Sequence, residues 1–270
     1  MASLTGDASL CIDGEAVASL GDLALIQFTR RFALMAGSLL IATPSLAMSP
    51  DDPMARIGGY FLMTYADPNG VLRSADLISA LGGVSGFFAQ LRARELLKTP
   101  AWQARKGALV DVETKDGAHY VFGDAINVGL YGSSEDGLGL WNYIAPAAGD
   151  PQIESKIDLM EIAAHTAATV GDPAFGVARV PPAYHPSEPA LAALKRDAPV
   201  LLAELQRLKV PADQYVTLFG GTAQKIVPFV AGERDFKVDA KLPPFEAVRL
   251  FMETAVPMSK IDPGSIGVRL

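Results

Sequence analysis

Apolar positions along the chain recur mostly at helical spacing. Asp51-Asp52-Pro53 has the form of a helix opening, with a carboxylate to cap it and a proline in the first turn, where no N–H is needed. The spacing predicts a helix to about residue 65, ahead of the turn residues Asp67-Pro68-Asn69-Gly70. Ser74 is expected to cap a longer helix, with Asp76 in its first turn. Leu77, Leu81, Val84, Phe88 and Leu91 then follow at steps of four and three, making one continuous apolar face. Gly82, Gly83 and Gly86 lie beside that face. A glycine costs a helix up to about 1 kcal/mol relative to alanine, so three together imply a close approach by another backbone.

The pattern changes once. Val110, Val112 and Thr114 alternate with Asp111, Glu113 and Lys115, and Asp116-Gly117 turns the chain into His119-Tyr120-Val121-Phe122. Alternation around an Asp-Gly pair predicts a β-hairpin. Two strands alone are marginal in water, so the hairpin must pack on helices or find further strands.

Helical spacing then returns. Asp124 stands where it would cap a short helix over 124–130, a glycine- and serine-rich loop covers 131–139, and an aromatic helical segment covers 140–147. A long helix is expected over 154–170, stopped by Gly171 and Pro173. Five prolines make 171–189 an extended connection. Leu191, Leu194, Ala198, Leu201, Leu205 and Leu208 carry the next helix, in which Pro199 predicts a kink or a break. Tyr215, Leu218, Phe219, Ile226 and Phe229 mark another, and a last helix over 245–255 is expected to stop at Pro257, leaving a frayed tail from Asp262.

These elements predict a mainly α (α+β) fold: one multi-helix globular domain with one β-hairpin, spanning 48–270 and built of two packed helical halves, 48–150 and 151–270. The chain has 270 residues, half of them apolar, which is enough for a sizeable core. The formal net charge of −7 carries no basic surplus, which argues against nucleic acid as a partner.

Residues 1–47 read differently. Thr29-Arg30-Arg31 is followed by an uncharged run over 32–47 that ends in Ser45-Leu46-Ala47, the layout of an export signal. The paired arginines resemble a twin-arginine leader, with Leu34 at the leucine position and Ala33 where that pattern has phenylalanine. The resemblance implies a leader that is removed and a periplasmic or secreted protein. Met48 offers an alternative, a later start that would leave 1–47 untranslated and the protein cytoplasmic. The run is shorter than the roughly 20 apolar residues of a membrane span and is diluted by Gly37, Ser38, Thr43, Pro44 and Ser45, so no integral membrane protein is expected.

Candidate chemistry is sparse. The single cysteine, Cys11, supports neither a disulfide framework nor a thiolate zinc site. The phosphate loop, dinucleotide fingerprint, nucleophile elbow and HExxH motif are all missing, and no cofactor is named by the pattern. His119, Asp124 and Asn127 gather where a strand feeds a helix, a place where polar groups often line a cleft, and Trp141 is positioned to close over them. These four are the expected ligand-binding residues. Glu161 and His165 stand four apart on one helix face, as two metal ligands or as a local hydrogen-bonded pair. The sequence thus favours a helical scaffold or binding protein for a small molecule or protein partner. The alternative is a hydrolase- or lyase-like enzyme using His119 and Asp124 as an acid–base pair. A third reading is a metal protein joining Glu161 and His165 to His185.

Overall fold

The computed structural model describes residues 52–132 and 137–269, so the leader and the Met48 start lie outside the described residues. Asp52 opens α1 (Pro53–Thr64) as expected, its Oδ1 accepting the N–H of Met54 at 3.0 Å. The next helix, α2 (Ser74–Leu96), departs from its expectation in two ways. Ser74 is its first residue and caps nothing. The Ser74 N–H is taken at 3.0 Å by Asp239, far along the chain, and the Ser74 hydroxyl is buried without a partner. The helix is also buried on every side, with each residue from 76 to 93 inside, rather than on one face.

Small side chains make that burial feasible. A Cβ on Gly82 would stand 2.5 Å from the Phe251 carbonyl, and one on Gly86 would stand 1.9 Å from that of Ala255, so the backbone of a later helix approaches α2 directly. Two buried polar side chains find partners locally or across that contact: Ser85 donates to the Leu81 carbonyl at 2.6 Å, and Gln90 Nε2 donates to the carbonyls of Ser259 and Ile261, each at 2.9 Å, whereas the Ser79 hydroxyl and Gln90 Oε1 are buried without one.

A short α3 (Pro100–Gln103) leads to the hairpin of β1 (Val110–Glu113) and β2 (His119–Phe122), which pair antiparallel with Val110 opposite Phe122 and Glu113 opposite His119. Then follow α4 (Asp124–Tyr131), α5 (Leu140–Ile144), α6 (Ile153–Lys156), α7 (Leu159–Ala168), α8 (Ala190–Arg207), α9 (Tyr215–Val230) and α10 (Pro244–Met258). The fold is mainly α with one two-stranded hairpin among the described residues. Helix α2 is its hub, packing most extensively on α10 and also on α4, α8 and α9. None of the described helices is long and apolar enough to cross a membrane.

Three further expectations are corrected. The helix expected over 154–170 is two helices, because Asp158 turns its carboxylate onto the N–H groups of Met160 and Glu161 and starts α7 afresh. Pro199 does not break α8, which runs on through it from Ala190 to Arg207. Leu194, Ala198, Leu201 and Leu205 stay buried on both sides of it, and that packing outweighs one lost backbone bond. The tail is not frayed: Pro263–Ile266 form a 3-10 turn that buries Pro263 and Ile266, and Val268 is buried beyond it.

One buried charge is a structural keystone. Asp197 on α8 is fully buried and accepts the hydroxyls of Tyr60 at 2.8 Å and Tyr65 at 2.7 Å, together with Arg196 Nε at 2.8 Å. Arg196 also reaches Glu188 and the Tyr65 hydroxyl. Burial first, and the Asp197 charge second, hold both phenols protonated well beyond the usual tyrosine range.

Candidate functional site

The junction between β2 and α4 was the expected site, and its backbone is tightly determined. Gly123 adopts φ +136°, and a Cβ there would stand 2.3 Å from the Ala108 carbonyl. That close approach brings the chain ahead of β1 over the start of α4. Asp124 N–H donates to the Gly107 carbonyl at 3.3 Å and Ala125 N–H to the Ala108 carbonyl at 3.0 Å. The next two N–H groups, of Ile126 and Asn127, turn back to the Gly123 carbonyl at 3.2 and 3.3 Å. The first three N–H groups of the helix are therefore met by backbone oxygens, and the fourth makes the first regular helical bond. Asp124 is accordingly the first helical residue and not the cap, which is Gly123, and its carboxylate is left exposed.

His119 and Asn127 are exposed as well, whereas Trp141 on α5 is 6% exposed. Among the described residues no hydrogen bond or ion pair joins any two of His119, Asp124, Asn127 and Trp141. The strand alternation also misleads about which side faces the core. Val110, on the apolar side of that alternation, is 45% exposed, and the one buried strand residue is Val121, opposite Asp111. The reason lies on the other edge of β2, where Val121 N–H donates to the Lys260 carbonyl at 2.8 Å and Tyr120 bridges to Ile261. The segment after α10 thus supplies the further pairing that a lone hairpin requires.

That segment contributes a residue that no pattern along the chain singles out. The Lys260 side chain is 4% exposed, with Nζ 3.4 Å from Asn127 Oδ1 and 5.5 Å from the Phe122 ring centroid. It forms no ion pair among the described residues. Burial lowers its pKa to about 8. In sequence it is an ordinary lysine just past a helix end, where a positive charge is commonplace.

Trp141 belongs to a different place. It lines an open cleft of about 410 Å³ together with Glu154, Ser155, Ile157, Asp158, Leu159 and Met160. The break between α6 and α7 creates this cleft, since it turns the chain at Ile157–Asp158. Met160 is 73% exposed on its rim, and the Glu154 carboxylate has no hydrogen bond or ion pair among the described residues.

Glu161 and His165 do not converge with His185. The Glu161 carboxylate is held by Arg179, and that hydrogen bond is the main reason its pKa lies below the usual range. His185 Nε2 lies 2.8 Å from the Val180 carbonyl. Among the described residues, no group of three or more His, Cys, Asp or Glu side chains is arranged to hold a metal ion. Arg179 also donates to the buried Glu253, from Nε at 3.2 Å and Nη2 at 3.0 Å. The far end of the proline-rich connection is fixed by Asp76, which accepts the N–H of Ser187 at 2.6 Å and its hydroxyl at 2.7 Å. The connection is thus pinned at its middle and near its far end by buried carboxylates. Comparison of the chain with protein-family models, curated proteins and solved structures returns no match.

Proposed function

We propose that the chain is a helical binding scaffold whose cleft beside Trp141 takes a small ligand with an apolar body and a cationic group. The observation that carries this reading is the cleft itself. Its volume of about 410 Å³ lies within the range of small-molecule sites, and it pairs an aromatic and aliphatic lining with two carboxylates. Asp158 already caps α7, which leaves Glu154 as the group to meet a cation. An exposed methionine on the rim suits a ligand of variable apolar shape.

Tryptophan emission tests the reading. With Trp102→Phe removing the only other indole, hydrophobic amines should change Trp141 emission, and carboxylates of matched shape should not. Glu154→Gln should weaken amine binding by about 1 kcal/mol, roughly fivefold in Kd. Equal binding of the carboxylates, or unchanged emission with every amine, overturns it. The working compartment in this reading is periplasmic or extracellular, on the leader pattern of residues 29–47. Protein from native cells should then begin near Met48, and lysine at positions 30 and 31 should abolish translocation. An intact mass that retains 1–47 overturns that part. The enzyme reading finds no support in His119 and Asp124, which share no bond, and moves instead to Lys260.

A further inference from the structure

The Lys260 ammonium has three N–H donors and finds one long acceptor, Asn127 Oδ1 at 3.4 Å. Two groups are in direct contact range of the amine: the Phe122 ring of β2, and the neutral amide of Asn127 on α4. Behind it, Gln90 of α2 binds the carbonyls of Ser259 and Ile261 on either side, so a second neutral amide occupies the acceptors nearest in sequence. No carboxylate offsets the charge among the described residues. Placing a cation out of water without a counter-charge favours the free amine. Asn127 is exposed, so the amine lies one side chain below the surface rather than deep in the core.

We propose that Lys260 is a carbonyl-capturing amine, forming an imine with an aldehyde or ketone group of a small molecule that approaches past Asn127. The nitrogen lone pair adds to the carbonyl carbon, forming the C–N bond, and the C=O π pair becomes a hydroxyl once a proton passes from nitrogen to oxygen. The nitrogen then gives up its remaining proton as the C–O bond breaks, and water leaves from a C=N product. One carbonyl compound enters and one water departs, with no oxidant or reductant. This site is separate from the Trp141 cleft and does not depend on the amine-binding reading.

The test is reductive trapping on the full chain. Propanal and cyanoborohydride are added across pH 6–10, and each modified lysine is located by peptide mass spectrometry. With its pKa lowered by burial to about 8, Lys260 has a far larger free-amine fraction at pH 7 than an ordinary lysine, a gain that its lower basicity and limited access only partly offset. Lys260 should therefore be trapped about tenfold faster than exposed lysines at pH 7, with the excess shrinking toward pH 10. Asn127→Ala should speed trapping at Lys260 and at no other lysine. Lys260→Arg should remove the adduct while leaving trapping elsewhere unchanged. An excess below about threefold in the native protein at pH 7 overturns the proposal and makes Lys260 a sealed core lysine.

Discussion

Asp197 and Lys260 are both buried charges, yet their surroundings are opposite. Asp197, fully buried, collects two tyrosine hydroxyls and the adjacent guanidinium at ordinary hydrogen-bond distances. Lys260, 4% exposed, has a single amide oxygen at 3.4 Å and an aromatic ring. A buried charge with every partner in place fixes neighbouring elements in register, and here Asp197 ties α8 to α1. A buried charge left short of partners lowers stability, and such groups concentrate where chemistry is done. The contrast separates a structural ion from a candidate reactive one without any appeal to sequence motifs.

The largest effect is expected at Asp197. Removing it in Asp197→Ala takes the acceptor from two buried phenols and leaves Arg196 with Glu188 as its one carboxylate, and denaturant titration should show a loss of about 3–5 kcal/mol. Lys260→Met, which keeps the apolar stem and discards the amine, should raise stability at neutral pH. If the two variants lose equal stability, the contrast fails.

Lys260 should also leave a signature in pH. Its folded pKa of about 8 lies below that of the unfolded chain, near 10.4. Below pH 8 both states are protonated and the full burial penalty, about 3 kcal/mol, is present. Between about pH 8 and 10.4 only the unfolded state keeps its proton, so stability rises with pH, and above that range the penalty is gone. The stability difference between Lys260→Met and the native chain should therefore shrink over that window. A difference that stays constant with pH shows the amine to be solvated in the native state.

The Arg179 clamp offers a smaller contrast on one cation. Glu253 is 4% exposed on its side chain and Glu161 57%. Glu253→Ala should cost about 1.5–3 kcal/mol, as expected for hydrogen bonds to a charged group. Glu161→Ala, losing an exposed pair, should cost less than about 1 kcal/mol. Thermal melts of the two variants, with their order reversed, would place the weight of the clamp on the wrong carboxylate. Smallest of all, Asp124→Ala and His119→Ala should each stay within about 0.5 kcal/mol, because the start of α4 is capped by backbone carbonyls and both side chains face water. A loss above 1 kcal/mol in Asp124→Ala would mean the carboxylate does cap the helix.

The hairpin and the main helices could be read from the chain because their signals are local. An Asp-Gly turn between alternating positions, and apolar residues at steps of three and four, act over a few residues whatever surrounds them. The glycines of α2 also announced a close backbone approach correctly. Caps were less legible. Asp52 and Asp158 use their own side chains, but the donors at Ser74 and Asp124 are met from distant parts of the chain, by Asp239 and by the Gly107 and Ala108 carbonyls. Of the expected site residues, Trp141 proved to line a cleft with residues 154–160, and Asn127 to stand over Lys260. The side chains of His119 and Asp124 make no hydrogen bond or ion pair among the described residues.

The sequence by itself determined the fold class, the order of the elements and the need for small side chains in α2. Each of these follows from backbone geometry and short-range periodicity. The tertiary structure alone decided that α2 is buried on all sides and that the segment after α10 completes the hairpin. It also decided that Asp197 is saturated while Lys260 is not. Satisfaction of a buried charge depends on which groups distant parts of the chain bring within about 3 Å of it, and no local pattern encodes that distance.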